Sequence, residues 1–171
     1  PHFTFSRPLG RWLGEQGYDL INGGGSGGME EVTKAFVEVK ERKGIALSVL
    51  PSMSSCENSN RRKAYQPAEG YPNAYTDLPI YTHLHLSGPH GRDPASRNHI
   101  IVLTAILVIA FPGSAGTCSE IQLAIEYGKP LIVLNPSGDW NEFNYTSATM
   151  VQGTEEMING ILRWENTRCK D

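Results

Sequence analysis

Apolar and polar positions along this chain switch repeatedly between a helical and an extended spacing. Leu9, Trp12 and Leu13, three and four apart, predict a short helix from Leu9 to Gln16 that Gly17 ends. Tyr18 to Ile21 reads as a short strand running into Asn22-Gly23-Gly24-Gly25-Ser26-Gly27-Gly28-Met29. Val32, Ala35, Phe36 and Val39 line one face of a helix predicted over Glu30 to Lys43, with Gly44 as its stop. Ile45 to Leu50 is the next strand, closed by Pro51. The pattern then lapses over 51–77, a long loop rich in Ser, Asn and Pro that carries Tyr65, Tyr71 and Tyr75. Leu78 to Leu86 is a strand, and Ser87 to Pro94 a turn. Ser96 caps a helix reaching about Thr104. Ile106 to Phe111 is a strand, followed by the small-residue turn Pro112 to Gly116 and a helix over 117–127 that Gly128 stops. Leu131 to Leu134 is a strand and Asn135 to Asp139 a turn, while 140–152 is weakly patterned. Thr154 to Glu165 is a last amphipathic helix, with Met157, Ile158, Ile161, Leu162 and Trp164 as packing positions.

Strands alternating with helices predict an α/β fold, a mostly parallel, doubly wound sheet with helices on both faces. Such a sheet normally opens on a strand, yet this chain opens PHFTFSRPLG. The expected first strand is either reduced to Phe3–Phe5 or lies outside the sequence. Ligands of such sheets bind beyond the carboxyl ends of the strands. Both glycine-rich loops and the 87–97 segment fall at that edge.

Composition narrows the partners. The 171 residues suffice for one domain over 1–171, and 39% hydrophobic with 19% charged residues is globular rather than disordered. A net charge of −3 gives no long nucleic-acid surface, so no nucleic-acid partner is expected, and Arg61-Arg62-Lys63 reads as a solvated loop. No apolar run approaches the ~18 residues of a membrane span, so no membrane partner is expected. No signal peptide is visible. Cys56, Cys118 and Cys169 are odd in number and widely spaced, which points to a reducing, cytoplasmic setting.

Chemistry concentrates at two strand–glycine loop–helix junctions. Unshielded backbone N–H groups and the helix dipole make each an anion site. A GxGxxG can be forced onto Gly23, Gly25 and Gly28, but the next strand, IALSVL, ends without the acidic residue of a dinucleotide site. Close approach of backbone to a phosphate accounts better for the glycines. Thr117-Cys118-Ser119-Glu120 matches a capping box, so Glu120 either satisfies the helix N-terminus or faces a ligand sugar. Glu30 and Glu31 read as first-turn structural residues. Arg97, after a loop at the binding edge, is a candidate clamp for anionic groups, with Asn98 beside it. Cys118 sits at a helix N-terminus, a position that lowers a thiol pKa, but it and Ser114 and Ser119 lack an identifiable base. His83 and His85 share a strand face, yet with His90 and His99 they give no convincing ligand spacing. No metal and no cofactor is expected.

Gly23 to Glu30, Ser96-Arg97-Asn98, and Pro112-Gly113-Ser114-Ala115-Gly116-Thr117-Cys118-Ser119-Glu120 together resemble the Lonely Guy superfamily, often labelled lysine decarboxylase-like. The likeness spans about residues 9–135. The superfamily includes cytokinin-activating phosphoribohydrolases and molybdenum cofactor carrier proteins. It implies a Rossmann-like nucleotide-binding domain that forms a homodimer or homotetramer. It implies a nucleotide-like ligand whose phosphate meets Gly23, Gly24, Gly25, Ser26, Gly27, Met29 and Asn98 on one side, and Pro112, Gly113, Ser114, Ala115, Gly116 and Thr117 on the other. By resemblance Arg97 and Glu120 stand at the catalytic positions for hydrolysis of an N-glycosidic bond in a nucleoside 5′-monophosphate. There a carboxylate stabilises positive charge at C1′. The chain departs from the hydrolase signature PGGxGTxxE at Ser114, and reads Arg97-Asn98 where the hydrolases have Arg-Lys. A non-catalytic carrier or sensor, for instance of molybdenum cofactor, is the alternative.

Overall fold

A computed structural model describes residues 3–168; Cys169 lies outside them. The first described element is a helix, α1 (Phe3–Gln16), so the Phe3–Phe5 strand does not form. Phe5, Leu9 and Trp12 recur at helical spacing and all pack on one core, and that face, rather than an alternation, decides the conformation. There follow β1 (Leu20–Asn22), α2 (Gly28–Val37), β2 (Ala46–Leu50), α3 (Ser59–Lys63), β3 (Leu78–Tyr81), α4 (Asn98–Thr104), β4 (Val108–Ala110), α5 (Ala115–Glu126), β5 (Leu131–Leu134), β6 (Thr149–Val151) and α6 (Thr154–Arg168). Single 3-10 turns lie at Gly88–His90 and Asn141–Phe143.

The strands form two three-stranded sheets, β1-β2-β3 and β4-β5-β6, with every pairing parallel. β5 shows why this is an α/β fold with both faces covered. Its four residues are all buried. Ile132 and Leu134 face a core with Leu9, Leu13, Phe36, Ala46, Met157 and Ile161. Leu131 and Val133 face the opposite core with Val102, Ile121, Leu123, Ala124, Trp140 and Phe143. Alternate side chains of one strand thus feed two layers, as a parallel strand between helices requires. The first core draws Ala46 from one sheet and Ile132 from the other.

Several boundaries move. α2 stops at Val37, not Lys43: the Val39 N–H donates to the Phe36 carbonyl (3.3 Å), a tighter turn than the helix, and Glu41 beyond it adopts a left-handed backbone with φ of 61°. Gly44 is required by close packing rather than by capping, since a Cβ there would lie 2.5 Å from the Tyr18 carbonyl carbon. β3 ends at Tyr81: the Thr82 hydroxyl donates to the Leu50 carbonyl (2.7 Å) and accepts from the Leu84 N–H (3.3 Å), which turns the chain away. Arg61-Arg62-Lys63 is exposed, but within the short α3, which Asn58 caps by accepting from the Arg61 N–H at 3.0 Å. The weakly patterned 140–152 contains β6, whose three residues are too few to show a period. Among the described residues no helix is long and apolar enough to cross a membrane.

α1 and α2 cross with backbones nearly touching. A Cβ at Gly10 would overlap the Val32 carbonyl and sit 3.2 Å from Val32 Cα. Arg7 of α1 pairs with Glu31 in the first turn of α2 and holds that carboxyl below the usual carboxylate range through a hydrogen bond. The structural reading of Glu31 follows from this pair.

Candidate functional site

The first glycine loop is tied down at both ends by asparagine side chains. Asn22, at the end of β1, accepts from the Gly24 N–H at 2.8 Å and donates from Nδ2 to the Thr33 hydroxyl at 2.8 Å. Thr33 in turn donates to the Met29 carbonyl at 2.6 Å. One side chain therefore joins strand, loop and helix. Gly24 has φ of 71°, and a Cβ on it would lie 2.7 Å from Ser48 Cβ, so the turn runs tight across β2. From the far side the Asn73 N–H donates to the Gly24 carbonyl (2.7 Å), and its Nδ2 to the Gly25 carbonyl (3.2 Å). At Gly25 a Cβ would stand 2.9 Å from Met29 Cε and 3.1 Å from the Tyr71 hydroxyl. Part of the long 51–77 stretch is thus a wall of this loop. The first intrahelical bond of α2 is Glu31 N–H to the Gly27 carbonyl (3.0 Å), so the Gly28, Met29 and Glu30 N–H groups precede it.

The second junction is built differently from the capping box. α5 begins at Ala115, with Ser114 at the N-cap and no side-chain cap bond. Thr117 lies inside the first turn and packs on Gly113, where a Cβ would be 2.9 Å from Thr117 Cβ. Thr117 and Glu120 therefore do not form the reciprocal cap that T-x-x-E predicts. Gly113, Ser114 and Ala115 are exposed, while Pro112 is buried. The first intrahelical bond is Cys118 N–H to the Ser114 carbonyl (3.1 Å), which leaves the Ala115, Gly116 and Thr117 N–H groups at an open helix end. Ser119 donates to both the Gly88 and Ala115 carbonyls at 2.9 Å, locking the 87–91 turn onto α5. Ser26 is exposed in the first loop, and Gly27 adopts φ of 74° with open space where a Cβ would stand.

Arg97 lies against the first loop and within electrostatic reach of α5. It is 4% exposed, and Asn98 beside it 3%. The Arg97 guanidinium rests on Gly23, where a Cβ would come within 2.6 Å of Nη2 and 2.7 Å of Cζ. Its Cζ lies over the Tyr71 ring, 5.6 Å from the ring centroid. Among the described residues its one hydrogen bond, Nη1 to Asn98 Oδ1, is long at 3.5 Å, and its buried Nε finds no partner. Among the described residues Arg97 makes no ion pair. An unpaired buried cation is costly in a protein interior unless something compensates it.

Glu120 sits one turn into α5. Burial pushes its carboxyl well up toward the neutral form, and the Arg97 charge pulls it back only in part. Cys118 corrects a second expectation. Despite its helix N-terminal position its thiol is pushed up, by burial first and then by Glu142, the reverse of the expected lowering. No three of the described His, Cys, Asp and Glu residues are placed to hold a metal ion. Two shallow clefts lie elsewhere, about 440 Å³ against Arg11, Glu15 and Glu38, and about 360 Å³ against Cys56, His83 and His85.

Asn73, Tyr71 and the bridging role of Ser119 escape sequence reasoning. Asn22 had a readable signal: an Asx turn is the expected device at the entrance to a glycine run. Asn73 has none, since it meets the loop only through tertiary structure.

A family model described as the SLOG cluster4 family matches residues 2–163. An uncharacterized protein of Archaeoglobus fulgidus is 30% identical over 128 residues, 75% of this chain and 67% of the relative. The molybdenum cofactor carrier protein of Chlamydomonas reinhardtii superposes with a TM-score of 0.68 at 22% identity, over 95% of this chain and 86% of that one. The molybdenum cofactor binding protein of the phototrophic bacterium Rippkaea orientalis gives 0.64 at 25% identity, over 94% and 88%. These neighbours share the Rossmann-like α/β arrangement.

Proposed function

We infer the function from one premise: the chain belongs to the SLOG cluster4 family. It binds a phosphorylated, nucleotide-like small molecule between its two glycine loops and carries it without cleaving it. Molybdenum cofactor is the cargo that the structural neighbours suggest.

The observation that carries this reading is Arg97, a buried guanidinium set against the first glycine loop whose Nε has no partner among the described residues. An anion would supply the missing acceptor, and charge-assisted hydrogen bonds are the strong kind. The open N-termini of α2 and α5 add backbone donors at the same strand edge. The departures from the hydrolase pattern at Ser114 and at Arg97-Asn98 favour carriage over hydrolysis.

The test is direct. The protein is incubated with AMP, other nucleoside monophosphates and isolated molybdopterin, and both bound ligand and free base are measured. Carriage requires binding without base release. Release of base that disappears in Glu120→Ala establishes the phosphoribohydrolase instead. The homodimer or homotetramer expected from the resemblance belongs to the same proposal, and sedimentation velocity reads it.

A further inference from the structure

We propose that Tyr71 is a further ligand-binding residue of this site: its ring holds Arg97, and its phenolic hydroxyl donates to a phosphoryl oxygen of the ligand. This deepens the phosphate-binding reading and rests on it.

The argument begins with how Tyr71 is held. It lies in the irregular 51–77 stretch, yet its N–H donates to the Ala68 carbonyl at 3.2 Å. Two residues on, Asn73 fastens the same segment to the Gly24 and Gly25 carbonyls. Tyr71 thus sits in a local turn that Asn73 fastens to the glycine loop. The Arg97 guanidinium carbon lies over the Tyr71 ring. A cation–π contact attracts the charge without supplying a hydrogen-bond acceptor, so the guanidinium N–H groups still call for one. Nε is without a partner among the described residues.

The hydroxyl is the second half of the argument. It stands 3.1 Å from where a Gly25 Cβ would be, and among the described residues it has no hydrogen-bond partner. The groups gathered at the first loop are thus the Arg97 guanidinium, the Tyr71 hydroxyl and the N–H groups opening α2. The first and last of these are donors only, and the phenol can donate. A phosphoryl group, with several acceptor oxygens and no donor when ionised, is the chemistry that matches such a wall. The glycine at 25 is what lets the phenol reach the loop.

Inorganic phosphate and AMP are titrated calorimetrically into the full chain, into Tyr71→Phe and into Tyr71→Ala, with the melting temperature of each recorded. Tyr71→Phe keeps the ring and removes only the hydroxyl. It is expected to weaken both probes by about tenfold to a hundredfold at unchanged melting temperature, the effect of one lost hydrogen bond to a charged acceptor. Tyr71→Ala is expected to weaken them further. Equal binding by the unmodified chain and Tyr71→Phe overturns the role given to the hydroxyl while leaving the phosphate site intact. Absence of any binding by the unmodified chain overturns the phosphate reading itself, and this inference with it.

Discussion

Arg97 and Gly23 occupy each other's space: the guanidinium fills the volume that any side chain at 23 would need, with Nη2 and Cζ 2.6 and 2.7 Å from the position of a Cβ. Gly23→Ala must therefore displace the buried arginine. AMP affinity is expected to fall at least about tenfold, because a cation moved by an ångström loses its charge-assisted bonds. Gly116→Ala is the contrast, since its Cβ would meet only Gly88 Cα at 3.8 Å. It should leave the melting temperature unchanged or slightly raised, alanine being the better helix former. Calorimetric titration of both variants separates loop geometry from general damage.

Arg97→Met removes a buried charge that has no ion-pair partner among the described residues. Stability is expected to hold or rise, since an apolar side chain of similar length needs no compensation. Phosphate binding is expected to drop by about 1.5–3 kcal/mol, the range for hydrogen bonds to charged groups. Denaturant unfolding and titration on the same variant give the two signs. A large loss of stability would refute the ligand-directed role.

Glu120 makes stability depend on pH. Its folded carboxyl keeps its proton to higher pH than the unfolded one, whose value is about 4.5. The folded state binds more protons across that window, so stability is greatest below it and declines as pH rises through the folded value. Glu120→Gln fixes the neutral form. It should flatten this decline and stabilise the protein at neutral pH, as melting curves across pH would show. It should also bind AMP at least as tightly as the unmodified chain.

Asn73→Ala leaves the Gly25 carbonyl without its side-chain donor and frees the Tyr75 N–H, which Asn73 Oδ1 accepts at 3.1 Å. A cost of about 1–3 kcal/mol is expected for buried groups left unpaired. Equilibrium urea unfolding measures it.

Local rules carried the sequence reading through most of the fold. β5 and the helices α4, α5 and α6 were legible because their apolar pattern is local, and at α5 Gly128 also marks the stop. At the start, the Phe3–Phe5 strand alternative fails and the helix expected from Leu9 begins at Phe3 instead, because the helical spacing of Phe5, Leu9 and Trp12 runs back that far. β6 and the length of β3 depend on partners far away in sequence. At the site, the two glycine loops were visible as composition, whereas Arg97 was only a candidate at the binding edge. What makes it informative, its burial, its missing partner and its seat between Gly23 and Tyr71, arises only when three distant segments meet. The capping box failed for a local reason: Pro112-Gly113-Ser114 lets the helix begin two residues before Thr117.

The notch at Gly10 has a mechanical consequence. With no side chain between the α1 and α2 backbones there, and Arg7 bound to Glu31 beside it, α2 cannot slide along its axis without carrying α1 with it. The open end of α2 at Gly28 is therefore referenced to a helix whose opposite face is buried in the core. A ligand pulling on the first loop works against the whole hydrophobic layer under Leu9 and Leu13, so the mouth of the site behaves as a fixed jaw.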